Sequence, residues 1–187
     1  GKQQYATFAP GGNMVAFVRD NNLFIKNLST GDEKQITTDG KKNEIINGAT
    51  DWVYEEEFSF DRGFQWSPDG KYIAFYRFDE RMVKEFNLTY YGTLYPREEK
   101  YKYPKAGEAN STVEIHICDI SNSKIIKADV NKEADQYIPR IKWTRDPSKL
   151  CVMRLNRLQN QLELYACDAV TGNSEIFFEE TNPAYIE

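Results

Sequence analysis

The sequence holds one histidine and three cysteines among 187 residues. Its single histidine, His116, lies in the alternating run VEIHIC. A hydrolytic triad needs a histidine with positioned partners, so His116 reads as a structural strand residue. No G-x-S-x-G occurs, which excludes a nucleophile elbow, and no catalytic residue is expected in this chain. Cys118, Cys151 and Cys167 fit neither a disulfide framework nor a zinc spacing. Each sits in a strand-like run and reads as a buried free thiol. No metal site and no cofactor are expected. No apolar run approaches the roughly 20 residues that span a bilayer. Basic clusters are also missing, and the formal net charge is −5. Phosphate binding needs a clustered positive surface, so nucleic acid is not an expected partner. The opening GKQQYATFAP lacks an apolar signal core, and the chain closes on NPAYIE. Both ends read as cut, which leaves the parent protein's compartment unknown from sequence.

What the chain does have is aromatic residues, 14% of the total with 12 Tyr and 11 Phe, and an internal repeat. FAPGGNMVAFVR (8–19), WSPDGKYIAFYR (66–77) and WTRDPSKLCVMR (143–154) share one pattern. An aromatic residue precedes a turn rich in Pro with Gly or Asp, and a β-branched and aromatic strand follows. Behind each comes an alternating hairpin: residues 23–37, 113–128 and 162–178. A strand pair followed by a second hairpin is a four-stranded unit, and radial repetition of such units is a β-propeller. The fold class expected is all-β, with antiparallel four-stranded blades and no long helix. The anchors Phe8, Trp66 and Trp143 lie 58 and 77 positions apart, whereas a plain blade takes about 40–50 residues. The excess predicts inserts at about 49–60 and 79–111, and inserts on rigid blades commonly carry function. Three visible blades are too few to close a ring, since propellers typically use about 4–8, so the chain reads as a partial propeller of about three to four blades.

The first insert, ATDWVYEEEF, sets Glu55, Glu56 and Glu57 in a row. Neighbouring side chains on a strand point to opposite faces, whereas on a helix or tight turn adjacent carboxylates can reach one point. Asp51 is a good N-cap and early acids suit the helix dipole. A short helix is expected over 51–58. From pattern alone a solvated acidic helix start remains an open alternative.

DWVYEEE resembles the double-glutamate motif of the dipeptidyl peptidase IV family of serine peptidases. WSPDGKYIAFYRFD and YPKAGEANSTVEI resemble that family in the same order and at similar spacing, from about residue 5 to about residue 178. The resemblance implies an eight-bladed propeller capping an α/β-hydrolase domain that bears the Ser, Asp and His. Such an enzyme releases dipeptides from N-termini with Pro or Ala second. It implies that Glu56 and Glu57 grip the free α-ammonium of a peptide substrate, with Glu55, Tyr54 and Trp52 in possible support. It also implies a bacterial-type member, periplasmic or on the cell surface, with this chain inactive by itself. The family's propeller arginine lies upstream of the region covered here, so no such role falls on Arg19 or Arg62. Relatives hold a disulfide near the position of Cys167, but the hairpin DAVTGNSEIFF offers no second cysteine. Asn27, Asn87 and Asn110 begin glycosylation sequons, a pattern short enough to occur by chance.

The second insert, FDERMVKEFNLTYYGTLYPREEKYKYPKAG, is dense in Tyr and charge. The resemblance reads residues 80–103 as a two-stranded arm that contacts a second subunit in a homodimer. Tyr suits interfaces because it buries area while keeping a polar tip. The competing reading of the whole chain is a non-catalytic propeller scaffold, which explains the blades but not DWVYEEE.

Overall fold

The structure, a computed structural model, describes residues 2–130 and 133–186. Three antiparallel sheets follow one another along the chain. The first has the order β1 (Gln4–Phe8), β2 (Met14–Arg19), β3 (Asn22–Asn27), β4 (Glu33–Gln35). Asp20 and Asn21 both take left-handed backbone, φ 51° and 58°. That is the two-residue turn whose twist matches a β-hairpin, and it is why β2 and β3 pair in register from Met14–Asn27 to Arg19–Asn22.

The second sheet forms around β7 (Tyr72–Asp79), flanked on one side by β10 (Thr112–Asp119) and then β11 (Ile125–Lys127). Its other edge is shared end to end by two short strands. β5 (Ile45–Asn47) pairs with Arg77–Asp79, and β6 (Phe64–Trp66) pairs with Ile73–Phe75. Together they occupy the place of one first strand, interrupted in its middle. The first insert fills that interruption and holds α1 (Trp52–Glu56). The second insert leaves after β7 as a separate hairpin of β8 (Glu85–Tyr90) and β9 (Arg97–Lys102). The third sheet runs β12 (Gln136–Trp143), β13 (Lys149–Asn156), β14 (Gln161–Asp168), β15 (Ser174–Thr181).

The chain is therefore all-β, with α1 as the single helix among the described residues. The repeated aromatic anchors have a definite job. Trp66 Nε1 donates to the Thr7 carbonyl of β1 at 3.2 Å, and Trp143 Nε1 donates to the Gln65 carbonyl of β6 at 3.1 Å. Each tryptophan thus staples the first strand of its own sheet to the first strand of the preceding one. Phe8, the anchor of the first sheet, is 66% exposed. The core is continuous through all three sheets, from Val18 and Leu23 through Ile73 and Ile115 to Leu150 and Val152. Cys118 and Cys167 are buried free thiols within it, and Cys151 is half-buried. Burial pushes the thiols of Cys118 and Cys167 up to about 11, which leaves them inert at neutral pH. His116 stacks on Phe75 and bonds Glu114 at 3.0 Å.

One buried ion pair lies in the third sheet. Arg154 Nη1 meets Glu163 Oε2 at 2.8 Å, Arg154 Nε donates to Gln136 Oε1, and the Tyr165 hydroxyl donates to Glu163. Hydrogen bonds to the same carboxylate and guanidinium are what make such a pair tolerable in a core.

Candidate functional site

The two ends of the first insert are drawn together before any side chain acts. Gly48 adopts φ +74°, and a Cβ on Gly63 would lie 2.8 Å from the Ala49 carbonyl oxygen. Gly63 N–H donates to the Gly48 carbonyl at 3.0 Å, and Ala49 bridges Arg62. This pinch lets the residues between Gly48 and Gly63 bulge out of a strand without breaking the sheet. The helix expected over 51–58 is shorter, Trp52–Glu56, with Asp51 as N-cap and Glu57 as C-cap. It stops early because the chain must turn back to the pinch, and Ser59 does so with a left-handed φ of 56°.

Asp51 is buried, and its Oδ1 accepts from the Tyr54 N–H at 3.1 Å. Burial pushes its carboxyl above the usual range, against the opposing hydrogen bonds from Ser111 and the Tyr54 amide. Tyr54 is buried, ringed by Phe58, Phe60, Tyr76 and Phe78 at centroid distances of 4.8 to 6.1 Å. Its hydroxyl accepts the Ile138 N–H at 2.7 Å, while the Tyr76 hydroxyl donates to the Ile138 carbonyl at 3.1 Å. Those two backbone groups are free because β12 slips register against β13 between Tyr137 and Arg140. Pro139 sits in that bulge, the place a strand tolerates proline. Tyr54 of α1 and Tyr76 of β7 thus grip a bulge of the third sheet, and burial raises the hydroxyl pKa of both.

On this platform Glu55, Glu56 and Glu57 all face solvent. Among the described residues none of the three makes an ion pair. Trp52 packs edge-on against Tyr103 at 4.3 Å, tying α1 to the root of the β8–β9 hairpin. Glu57 lines a cavity of about 710 Å³ together with Trp52, Phe58, Tyr103, Tyr137 and Arg157. The predicted residues are therefore in one place but in different states. Tyr54 is a buried support, Trp52 a half-buried side wall, and the glutamates an exposed acidic rim. Adjacent carboxylates repel one another. A primary ammonium with three hydrogens can bond both.

The contributions of Tyr76 and Ile138 are invisible in the motif. Pro139 in an otherwise strand-like run was the available signal, since it marks a bulge. Among the described residues no group of His, Cys, Asp and Glu could hold a metal.

Residues 1–187 match the family described as the dipeptidyl peptidase IV (DPP IV) N-terminal region. A crystal structure of Porphyromonas gingivalis dipeptidyl peptidase 4 superposes with a TM-score of 0.94 at 45% identity, covering 99% of this chain and 26% of that one. An Aspergillus fumigatus protein named "Probable dipeptidyl peptidase 4" is 37% identical over 190 residues, 96% of this chain and 24% of its own length. A rat protein named "Inactive dipeptidyl peptidase 10" is 30% identical over 189 residues, 98% of this chain and 24% of its own. The chain spans about a quarter of the length of these relatives.

Proposed function

Because the chain belongs to the dipeptidyl peptidase IV N-terminal region family, we propose that it is the substrate-selecting part of a serine-type dipeptidyl peptidase. Such an enzyme releases N-terminal dipeptides with Pro or Ala second. In this reading Glu56 and Glu57 hold the free ammonium of the peptide, while a separate α/β-hydrolase domain of the same protein carries the catalytic residues. The single observation that carries it is the set of unpaired, exposed carboxylates on a helix whose underside is locked by Tyr54.

The chemistry fits the role. A peptide α-amine has a pKa near 8 and is mostly charged at neutral pH. One carboxylate at around 4 Å contributes on the order of 4 kcal/mol at an effective dielectric near 20, before desolvation. A bound ammonium also relieves the repulsion between the two acids. A blocked N-terminus offers neither gain, so the site measures distance from a free chain end.

The test is Glu56→Gln and Glu57→Gln in the full-length protein, with cleavage of a Pro-second dipeptide reporter. Each change keeps shape and removes one charge-assisted contact. We expect kcat/KM to fall by roughly tenfold or more, the size of a lost charged hydrogen bond, with the unfolding transition unchanged. Near-normal cleavage by either variant refutes the assignment.

A relative named as inactive gives weight to a second reading, a binding module without catalysis. A G-x-S-x-G with later Asp and His elsewhere in the full-length protein separates the two. We further propose that the β8–β9 hairpin serves homodimerisation. In support, Tyr91, Leu94 and Tyr95 at its tip are about 80–90% exposed, more apolar surface than a solvated turn keeps.

A further inference from the structure

A second cavity, of about 400 Å³, opens where the first strands of the three sheets converge. Its walls come from β1, from the end of the first insert and from β12. Tyr5, Phe60 and Tyr76 supply rings, and Arg62 and Arg140 supply two guanidinium groups.

Three features set it apart from an ordinary gap between blades. First, Tyr5 holds a left-handed backbone, φ 60°, inside β1, where the ladder slips between Gln4 and Thr7. Most other non-glycine residues with positive φ are Asp, Asn or Ser in turns. A bulky residue in that region is strained, and such strain persists where the surroundings impose it. Ser59, also lining the cavity, is left-handed as well. Second, neither arginine has a carboxylate within ion-pairing distance among the described residues. Arg62 Nη1 donates to Thr7 Oγ1 at 3.1 Å. Arg140 Nη1 donates to the Pro139 carbonyl and its guanidinium lies 5.1 Å from the Phe60 ring centre. Donors in both forks stay free. Third, the Tyr5 hydroxyl is kept protonated by burial and then by the nearby Asp61 and Glu55 carboxylates, so it is a further donor. Asp61 is the one acid lining the cavity, against two arginines.

We infer that this cavity binds an acidic side chain of the peptide substrate, its carboxylate received by Arg62, Arg140 and the Tyr5 hydroxyl. A planar carboxylate matches the guanidinium fork. The volume admits one side chain, not a folded partner. Its location fits too, because Ser59 and Phe60 follow Glu57 directly, and an extended chain advances only about 3.3 Å per residue. A peptide whose ammonium rests on Glu56 and Glu57 therefore brings its own neighbouring side chains within reach. The inference rests on that reading of α1 for the location of the peptide, but the cavity's chemistry is its own.

The test uses the full-length enzyme and peptide pairs with a free N-terminus and Pro second. Each pair differs only by Glu or Gln, placed at the first residue or at one of the third to sixth. At one of these positions the Glu peptide should show a kcat/KM higher by roughly threefold or more, carried in KM. That Glu-over-Gln ratio should fall to about one in Arg140→Gln and in Arg62→Gln, and fade with added salt. Lys142→Gln, exposed on β12 outside the cavity, should keep it. The inference is overturned if the wild type shows no Glu preference at any position, or if the preference survives both arginine variants. The two readings fail separately. Glu56→Gln with an uncharged reporter tests the amine site alone, and the Glu-over-Gln ratio tests the cavity alone.

Discussion

The Tyr54 hydroxyl is the clearest case of one atom holding the candidate site in place. It takes the Ile138 N–H that the β12 bulge leaves without a ladder partner. Tyr54→Phe keeps the ring packing but abandons that buried donor. The expected cost is about 1–3 kcal/mol, read as a lower denaturant midpoint for the full-length protein, with KM rising as α1 loosens. An unchanged midpoint would mean the bond contributes nothing. The glutamates themselves were legible, because DWVYEEE is a specific string and its acids lie where an insert was expected. A supporting role for Tyr54 was legible, but how it acts was not. Its partners, Tyr76 and Ile138, lie 22 and 84 positions away, and no local pattern encodes a backbone group freed by a distant bulge.

Among the elements, α1 and the hairpin root share one buried charge cluster. Glu80, at the end of β7, is 6% exposed, and its backbone N–H donates to the Glu44 carbonyl. Burial, and then the Asp51 carboxylate that caps α1, push its pKa up to about 7, with Lys102 of β9 opposing. Asp79, beside it, is held low by Arg81. An acid whose folded pKa is raised binds a proton in the folded state that the unfolded chain has already lost. Its stabilising contribution is therefore full below about pH 4.5 and disappears as pH rises through about 7. Glu80→Gln should flatten that decline and make the protein more stable than wild type at pH 8, in denaturant titrations across pH 5 to 8. A steeper decline in the variant would contradict the assignment. The strands were largely readable from alternation and turn residues. The interrupted first strand was not, because β5 and β6 are three residues each, and only their common partner β7 shows that they share one edge. The helix ended two residues early for a comparable reason, since closure at Gly48 and Gly63 is set by the sheet and not by helix propensity.

For the whole molecule, the stapling tryptophans tie each sheet to the one before it, as consecutive blades of a β-propeller fragment are tied. The hairpin projects from these sheets, with the rings of Phe86, Tyr101 and Tyr103 meeting edge-on or tilted along its base and an apolar tip beyond. Two copies exchanging such arms form a two-fold, isologous contact. Deleting residues 84–100 from the full-length protein should convert a dimer to a monomer by light scattering. A deleted protein as dimeric as its parent at low concentration would remove the arm from the interface.

The central claim is that this domain recognises a free chain end, and its most direct measurement is binding rather than turnover. A Pro-second peptide and its N-acetylated twin can be titrated calorimetrically into full-length protein whose catalytic serine is replaced. The free peptide should bind at least about tenfold more tightly, a difference of about 1.4 kcal/mol. That gap should close when Glu56 and Glu57 are both changed to Gln. Equal affinity of the two peptides for the unaltered domain, or a gap that survives the double change, would contradict the account.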